Sequence, residues 1–170
     1  MRVLPKFFLL GLVALATSCR TPNSVESPGC AILKVNRVLL DEKGYETDVV
    51  GNLKEEADYQ FLLRHEPTKQ QGVRFHIKWK APRHARSLRL QVEIRGLNAQ
   101  NQTTSDVESL SLEENEGWAG WSTLEVTEKK FKKLGQITAW KITLFSGGQA
   151  KAVLPSANWY EDILNTQPSS

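Results

Sequence analysis

Beyond residue 30 the apolar positions of the chain recur mostly every second residue, the period of a strand with one buried and one solvated face. Leu88, Leu90, Val92 and Ile94 alternate with Arg89, Gln91, Glu93 and Arg95. Phe75, Ile77 and Trp79 alternate with Arg74, His76, Lys78 and Lys80, and Trp140, Ile142 and Leu144 repeat the pattern near the end. Less regular runs at Ala31 to Leu40, Val107 to Leu112, Trp121 to Val126 and Gln149 to Leu154 bring the number of predicted strands to about seven. Turn signals separate them at 81 to 84, at Gly96 to Ala99, at 114 to 117 and at Ser146-Gly147-Gly148, where paired glycines suit a tight hairpin. Two stretches break the alternation. Leu53 to His65 reads as a short helix capped near Asn52, or as a loop leading into a strand, and the helix is the preferred reading. Thr127 to Gly135 opens on a cap-forming residue and closes on glycine, which predicts one or two helical turns.

Short strands with turns every ten residues or so predict an all-β fold, an immunoglobulin-like or fibronectin type III-like β-sandwich with one or two short helical segments. The spread of Ile137 to Trp140, the hairpin glycines and the closing Asn158-Trp159 resembles small bacterial envelope lipoproteins with immunoglobulin-like folds, over about the last third of the chain. That likeness carries over no functional residue.

Strand phase also sorts the tryptophans. Trp79 and Trp140 share faces with aliphatic residues and are expected in the core. In an unbroken strand Trp118 falls in phase with Leu124 and Val126, which leaves Trp121, in phase with Thr123 and Glu125, as the expected exposed indole. A bulge at Gly120 would exchange the two. Trp159 lies beyond Pro155 and cannot be phased.

The first residues follow a different pattern. Arg2 and Lys6 precede an apolar run from Phe7 to Ala16 and the small residues Thr17 and Ser18, the three parts of a secretory signal. The run is too short to cross a hydrocarbon core of ~30 Å as a helix. Leu15-Ala16-Thr17-Ser18-Cys19 resembles the lipobox of bacterial lipoproteins, although Ala16 replaces the more common leucine. The resemblance implies cleavage before Cys19 and lipid on its sulfur. Arg20, where an inner-membrane retention signal would carry aspartate, points toward the outer membrane. The competing reading is plain secretion with a Cys19–Cys30 disulfide. If Cys19 is lipidated, Cys30 is left as a buried structural thiol among apolar neighbours. The expected organisation is a signal at 1–18, a lipid-anchored tether with two prolines at 19–29, a single domain at 30–164 and a disordered tail at 165–170.

Loss of Arg2 and Lys6 with the signal reduces 22 basic side chains to 20, against 19 acidic ones, so net charge gives no reason to expect nucleic acid. Among three histidines none has the spacing of a zinc motif, and nucleophile-elbow and phosphate-loop motifs are absent, so no metal or other cofactor is expected. Arg74, His76, Lys78 and Lys80 form a basic row on the polar side of one strand. If the strand holding Arg89 to Arg95 lies beside it, the two make a cationic strip; a mixed, solvated face is the competing reading. The expected function is a non-catalytic, lipid-anchored envelope module that binds a protein or glycan partner or supports an assembly, with Trp121 and the basic row as candidate contacts. The alternative is an envelope glycan hydrolase using carboxylates such as Glu113 and Glu116.

Overall fold

The computed structural model describes residues 26–47, 51–112 and 118–160. Each alternating segment forms a strand: β1 (Ala31–Leu40), β2 (Gly72–Lys80), β3 (Arg89–Leu97), β4 (Thr103–Ser111), β5 (Ala119–Thr127), β6 (Gln136–Ser146) and β7 (Gln149–Pro155). They pair antiparallel into a three-stranded sheet, β1-β2-β5, and a four-stranded sheet, β4-β3-β6-β7. The two sheets pack face to face as a β-sandwich. Helix α1 (Leu53–His65) joins β1 to β2, and α2 (Glu128–Leu134) joins β5 to β6.

The core sits between β2 and β3. Val73, Phe75, Ile77 and Trp79 of β2 face Leu90, Val92 and Ile94 of β3, with Leu124 and Val126 from β5 and Ile142 and Leu144 from β6 completing one cluster. Trp79 is fully buried, and its indole N–H donates to Ser122 Oγ at 2.8 Å. Without that acceptor the buried N–H would cost ~1–3 kcal/mol.

Local chemistry explains both helices. Asn52 Oδ1 accepts from the backbone N–H groups of Lys54 and Glu55, Glu55 and Glu56 occupy the first turn, and Arg64 and His65 occupy the last, as the helix dipole favours. Gln60 of α1 accepts from Leu39 N at 2.8 Å and donates to Leu39 O at 2.9 Å. The side chain therefore takes the place of a neighbouring strand along part of the free edge of β1. In α2, Thr127 occupies the cap position but makes no capping bond through its side chain; Phe131 and Leu134 anchor the helix by burial, and Gly135 ends it at φ 71°.

Two expectations from the sequence need correction. The turn after β3 does not include Gly96. It is built by Asn98, whose Oδ1 accepts from Gln100 N at 3.0 Å and Gln102 N at 2.9 Å. Gly96 lies inside β3, where a Cβ would sit 2.4 Å from Leu134 O, so the glycine is there for close approach of two backbones and not for a turn. Trp118 does not join the core either: β5 begins at Ala119, so Trp118 lies beyond the end of the strand that was to hold its phase, and it is 51% exposed. Trp140 packs against the core half-buried, with its ring edge-on to Phe75 at 6.1 Å. Trp159, which alternation could not place, is buried at 5% exposure. Gly147 and Gly148, at φ 57° and 79°, form the anticipated β6–β7 hairpin.

The Gly96 contact supplies a test of this packing. Gly96→Ala should destabilise the fold by ~1–3 kcal/mol, the usual range for overpacking. A Gly148→Ala control meets nothing within 4 Å and bears only the strain of its positive φ. Urea midpoints of the two variants, compared with the parent, check the difference.

Candidate functional site

With the inner side of β2 committed to the core, its alternate residues line the outer face of the three-stranded sheet. Register places Lys34, Lys78 and Trp121 in one row across β1, β2 and β5; Asn36, His76 and Thr123 in the next; and Val38, Arg74 and Glu125 in a third. The rows differ sharply in electrostatics. Arg74 Nε donates to Glu125 Oε1 at 2.7 Å, its Nη1 to Glu46 Oε2 at 3.0 Å and its Nη2 to Gly44 O at 3.2 Å. His76 Nε2 donates to the same Glu46 oxygen at 2.7 Å, and its Nδ1 lies 3.2 Å from Thr123 Oγ1. Burial pushes the Glu46 carboxyl up, but the hydrogen bonds from His76 and Arg74 outweigh it and hold the group below its ordinary value. At this end the basic row is neutralised by acids from β5 and from the loop after β1.

The other end is open. Lys34, Lys78 and Lys80 are exposed, and among the described residues none of them forms an ion pair. Trp121 is 52% exposed, with Lys78 Nζ 5.8 Å from its ring centroid. Beyond the strand end Arg83 lies 5.8 Å from the ring of Trp118, so a second exposed indole and cation continue the surface. The wider cationic strip does not form. Both edges of β2 are taken, by β1 and by β5, so β3 crosses to the opposite sheet and carries Arg89 and Arg95 with it. There Arg95 and Lys141 stack on Trp159, at 3.8 and 4.8 Å from the ring centroid, and Lys141 also pairs with Glu93 at 2.8 Å. Those cations pin the C-terminal turn onto the outside of the four-stranded sheet.

A concave region elsewhere on the protein was not legible in the sequence. A cleft of about 750 Å³ opens where β1, the end of α1, α2 and the start of β6 converge. Arg37, Arg64 and Lys132 line it with Gln70, Gln71 and Gln136, over apolar surface from Leu39, Phe131 and Ile137. Arg37 stands opposite Phe75 in the β1–β2 ladder, so it occupies the core-facing phase of an edge strand. The run AILKVNRVLL hides this, because apolar residues fall in both phases and the ladder is irregular between Ile32 and Lys34. Arg64 and Lys132 come from separate helices, and only the folded chain brings them to Arg37.

Cys30 is a free, buried thiol whose pKa burial pushes up, with Lys151 opposing, as suits a structural role. No helix among the described residues is long and apolar enough to cross a membrane, and no group of three or more His, Cys, Asp or Glu in them is placed to hold a metal ion. Cys19 and the carboxylates Glu113, Glu114 and Glu116 lie outside the described residues. Compared with protein-family models, with curated proteins and with solved structures, the chain matches none of them.

The Glu46 cluster makes stability depend on acid. Because the folded-state pKa of Glu46 is lowered, its contribution is present above the unfolded value of about 4.3 and is lost as pH falls through the folded value. Glu46→Gln should lower stability near neutral pH and flatten its decline between about pH 5 and pH 3. Chemical denaturation of parent and variant across that range checks both slopes.

Proposed function

We propose that the chain is a non-catalytic module of the cell envelope, held at the outer membrane by lipid on Cys19, and that it binds a protein or glycan partner through the open end of its three-stranded sheet. One observation carries the binding surface: the exposed Trp121 indole lies in a row with Lys34 and Lys78 on a rigid sheet, while the neighbouring row spends its charges internally. An indole face offers flat apolar area to a sugar ring or an aromatic side chain with little rotamer entropy to lose, and unpaired lysines attract acidic groups on the same partner. Lys80 extends this charged end, whereas Arg74 and His76, bound to Glu46 and Glu125, serve to stiffen the sheet beside it. Among the described residues of this face, Glu46, Glu125 and the His76 imidazole are engaged with one another and with Arg74, which supports recognition over hydrolysis. A sandwich with its contact residues on strands presents them with fixed spacing, and a lipid anchor supplies location without further binding energy.

Two outcomes follow. Cys19→Ser should move the protein from the membrane fraction to the soluble fraction with loss of the lipid adduct by mass spectrometry; unchanged membrane association without any lipid mass would reject the anchor. In native-membrane capture, the Trp121→Ala/Lys78→Gln variant should lose the partner that the parent retains, while its urea stability stays within ~0.5 kcal/mol because both residues are exposed. Capture that survives protease digestion of the membranes marks the partner as a glycan, and capture abolished by it marks a protein. Equal retention by parent and variant would reject this surface.

A further inference from the structure

The cleft between β1 and the two helices has no explanation in the fold. Its cationic lining, Arg37, Arg64 and Lys132, has no carboxylate among it, and none of the three forms an ion pair among the described residues. By contrast, Arg74 is matched with Glu46 and Glu125, and Lys141 with Glu93. All three side chains remain solvent-exposed, and the surroundings of Arg37 still lower its pKa, through desolvation first and the like charge of Arg64 second. Protection of the β1 edge by an inward-pointing charge would account for Arg37 alone. It does not account for Arg64 and Lys132 converging on the same space from two helices.

We infer that the cleft is a second binding site, for a sugar unit that carries an anionic group. The two guanidiniums offer the forked donors that match a carboxylate or phosphate, and Lys132 adds a third positive charge. Gln70, Gln71 and Gln136 bring amides, which both donate and accept, as sugar hydroxyls require. Gln70 already uses its Nε2 on Leu63 O at 2.6 Å, which orients its Oε1 as an acceptor. Leu39, Phe131 and Ile137 supply apolar surface for the C–H face of a ring. The volume, about 750 Å³, falls within the range of small-ligand sites and holds one or two sugar rings. Because Arg37 lies on the inner side of β1 and Lys34 in the row of Lys78 and Trp121 on the outer side, the cleft and the proposed partner surface occupy opposite faces of one sheet.

The test is titration of the full chain, by calorimetry and by amide chemical shifts, with cellobiouronic acid, its neutral counterpart cellobiose, glucose 6-phosphate and inorganic phosphate. The acidic disaccharide or the sugar phosphate should bind at least about tenfold more tightly than cellobiose and than inorganic phosphate, move the amides of Gln71, Gly135 and Gln136, and weaken with added salt. Which of the two binds more tightly identifies the anionic group as carboxylate or phosphate. Arg37→Gln/Arg64→Gln should weaken this binding by tenfold or more without lowering the urea midpoint, since both side chains are exposed. Trp121→Ala should leave it unchanged, so this site and the outer surface stand or fall separately. Equal affinity for cellobiose, equal affinity for inorganic phosphate, absence of binding by both acidic sugars, or a fall in stability of the arginine variant would each overturn the inference.

Discussion

The arrangement depends on the burial of one face of β2. Val73, Phe75, Ile77 and Trp79 leave water completely, and the largest of them brings a polar N–H into the core that Ser122 alone satisfies. That hydrogen bond ties β2 to β5 at the same level as their backbone ladder, where Ser122 stands opposite Ile77. A slip of one residue would break it and turn every apolar side chain of β2 toward solvent. The phase of β2 is therefore fixed by the core, and with it the outward direction of Arg74, His76, Lys78 and Lys80. The candidate surface is a by-product of packing in its position, though not in its choice of side chains.

Charge is handled in two contrasting ways around that sheet. On the outer face Glu46 reaches from the loop after β1 to meet both Arg74 and His76, and Glu125 meets Arg74 from β5, so one half of a basic row becomes a cross-strand network. Such a network holds β2, β5 and the loop together and lends rigidity to the adjoining row that carries Trp121. On the inner side of the edge strand the opposite holds, because Arg37, Arg64 and Lys132 line one cleft without an acid among the described residues.

The close contact of β3 with the α2–β6 junction links these features to the backbone. Gly96 and Gly135 let Leu134 and Gln136 pass over the end of β3 at distances no side chain would permit. Phe131 and Leu134 are thereby seated in the core, and Lys132, between them on the exposed side of α2, is carried to the cleft. Outside the four-stranded sheet, Trp159 folds back between Arg95 and Lys141, so cations that looked available along the chain are consumed in closing the C-terminal turn.

The alternation of β2, β3 and β6 was strong enough in the sequence to determine the fold class and the core faces, and that of β5 the exposed side of Trp121, because a period of two needs only near neighbours to be read. The cap at Asn52 and the glycine pair at 147 and 148 were local for the same reason. What remained hidden depends on residues distant in the chain. Whether β2 and β3 share a sheet is decided by which strands occupy the edges of β2, and alternation says nothing about pairing. Gly96 looked like a turn residue because the backbone that crowds it comes from α2. Trp118 was given a phase by a strand that ends one residue short of it, and Trp159 had no strand to phase it. Arg37 was masked by the irregular pattern of β1, and its meeting with Arg64 and Lys132 exists only once two helices close over the end of the sandwich. Local periodicity determined which surfaces this protein has; tertiary contact alone decided which of their charges are paired and which are left exposed without an ion pair among the described residues.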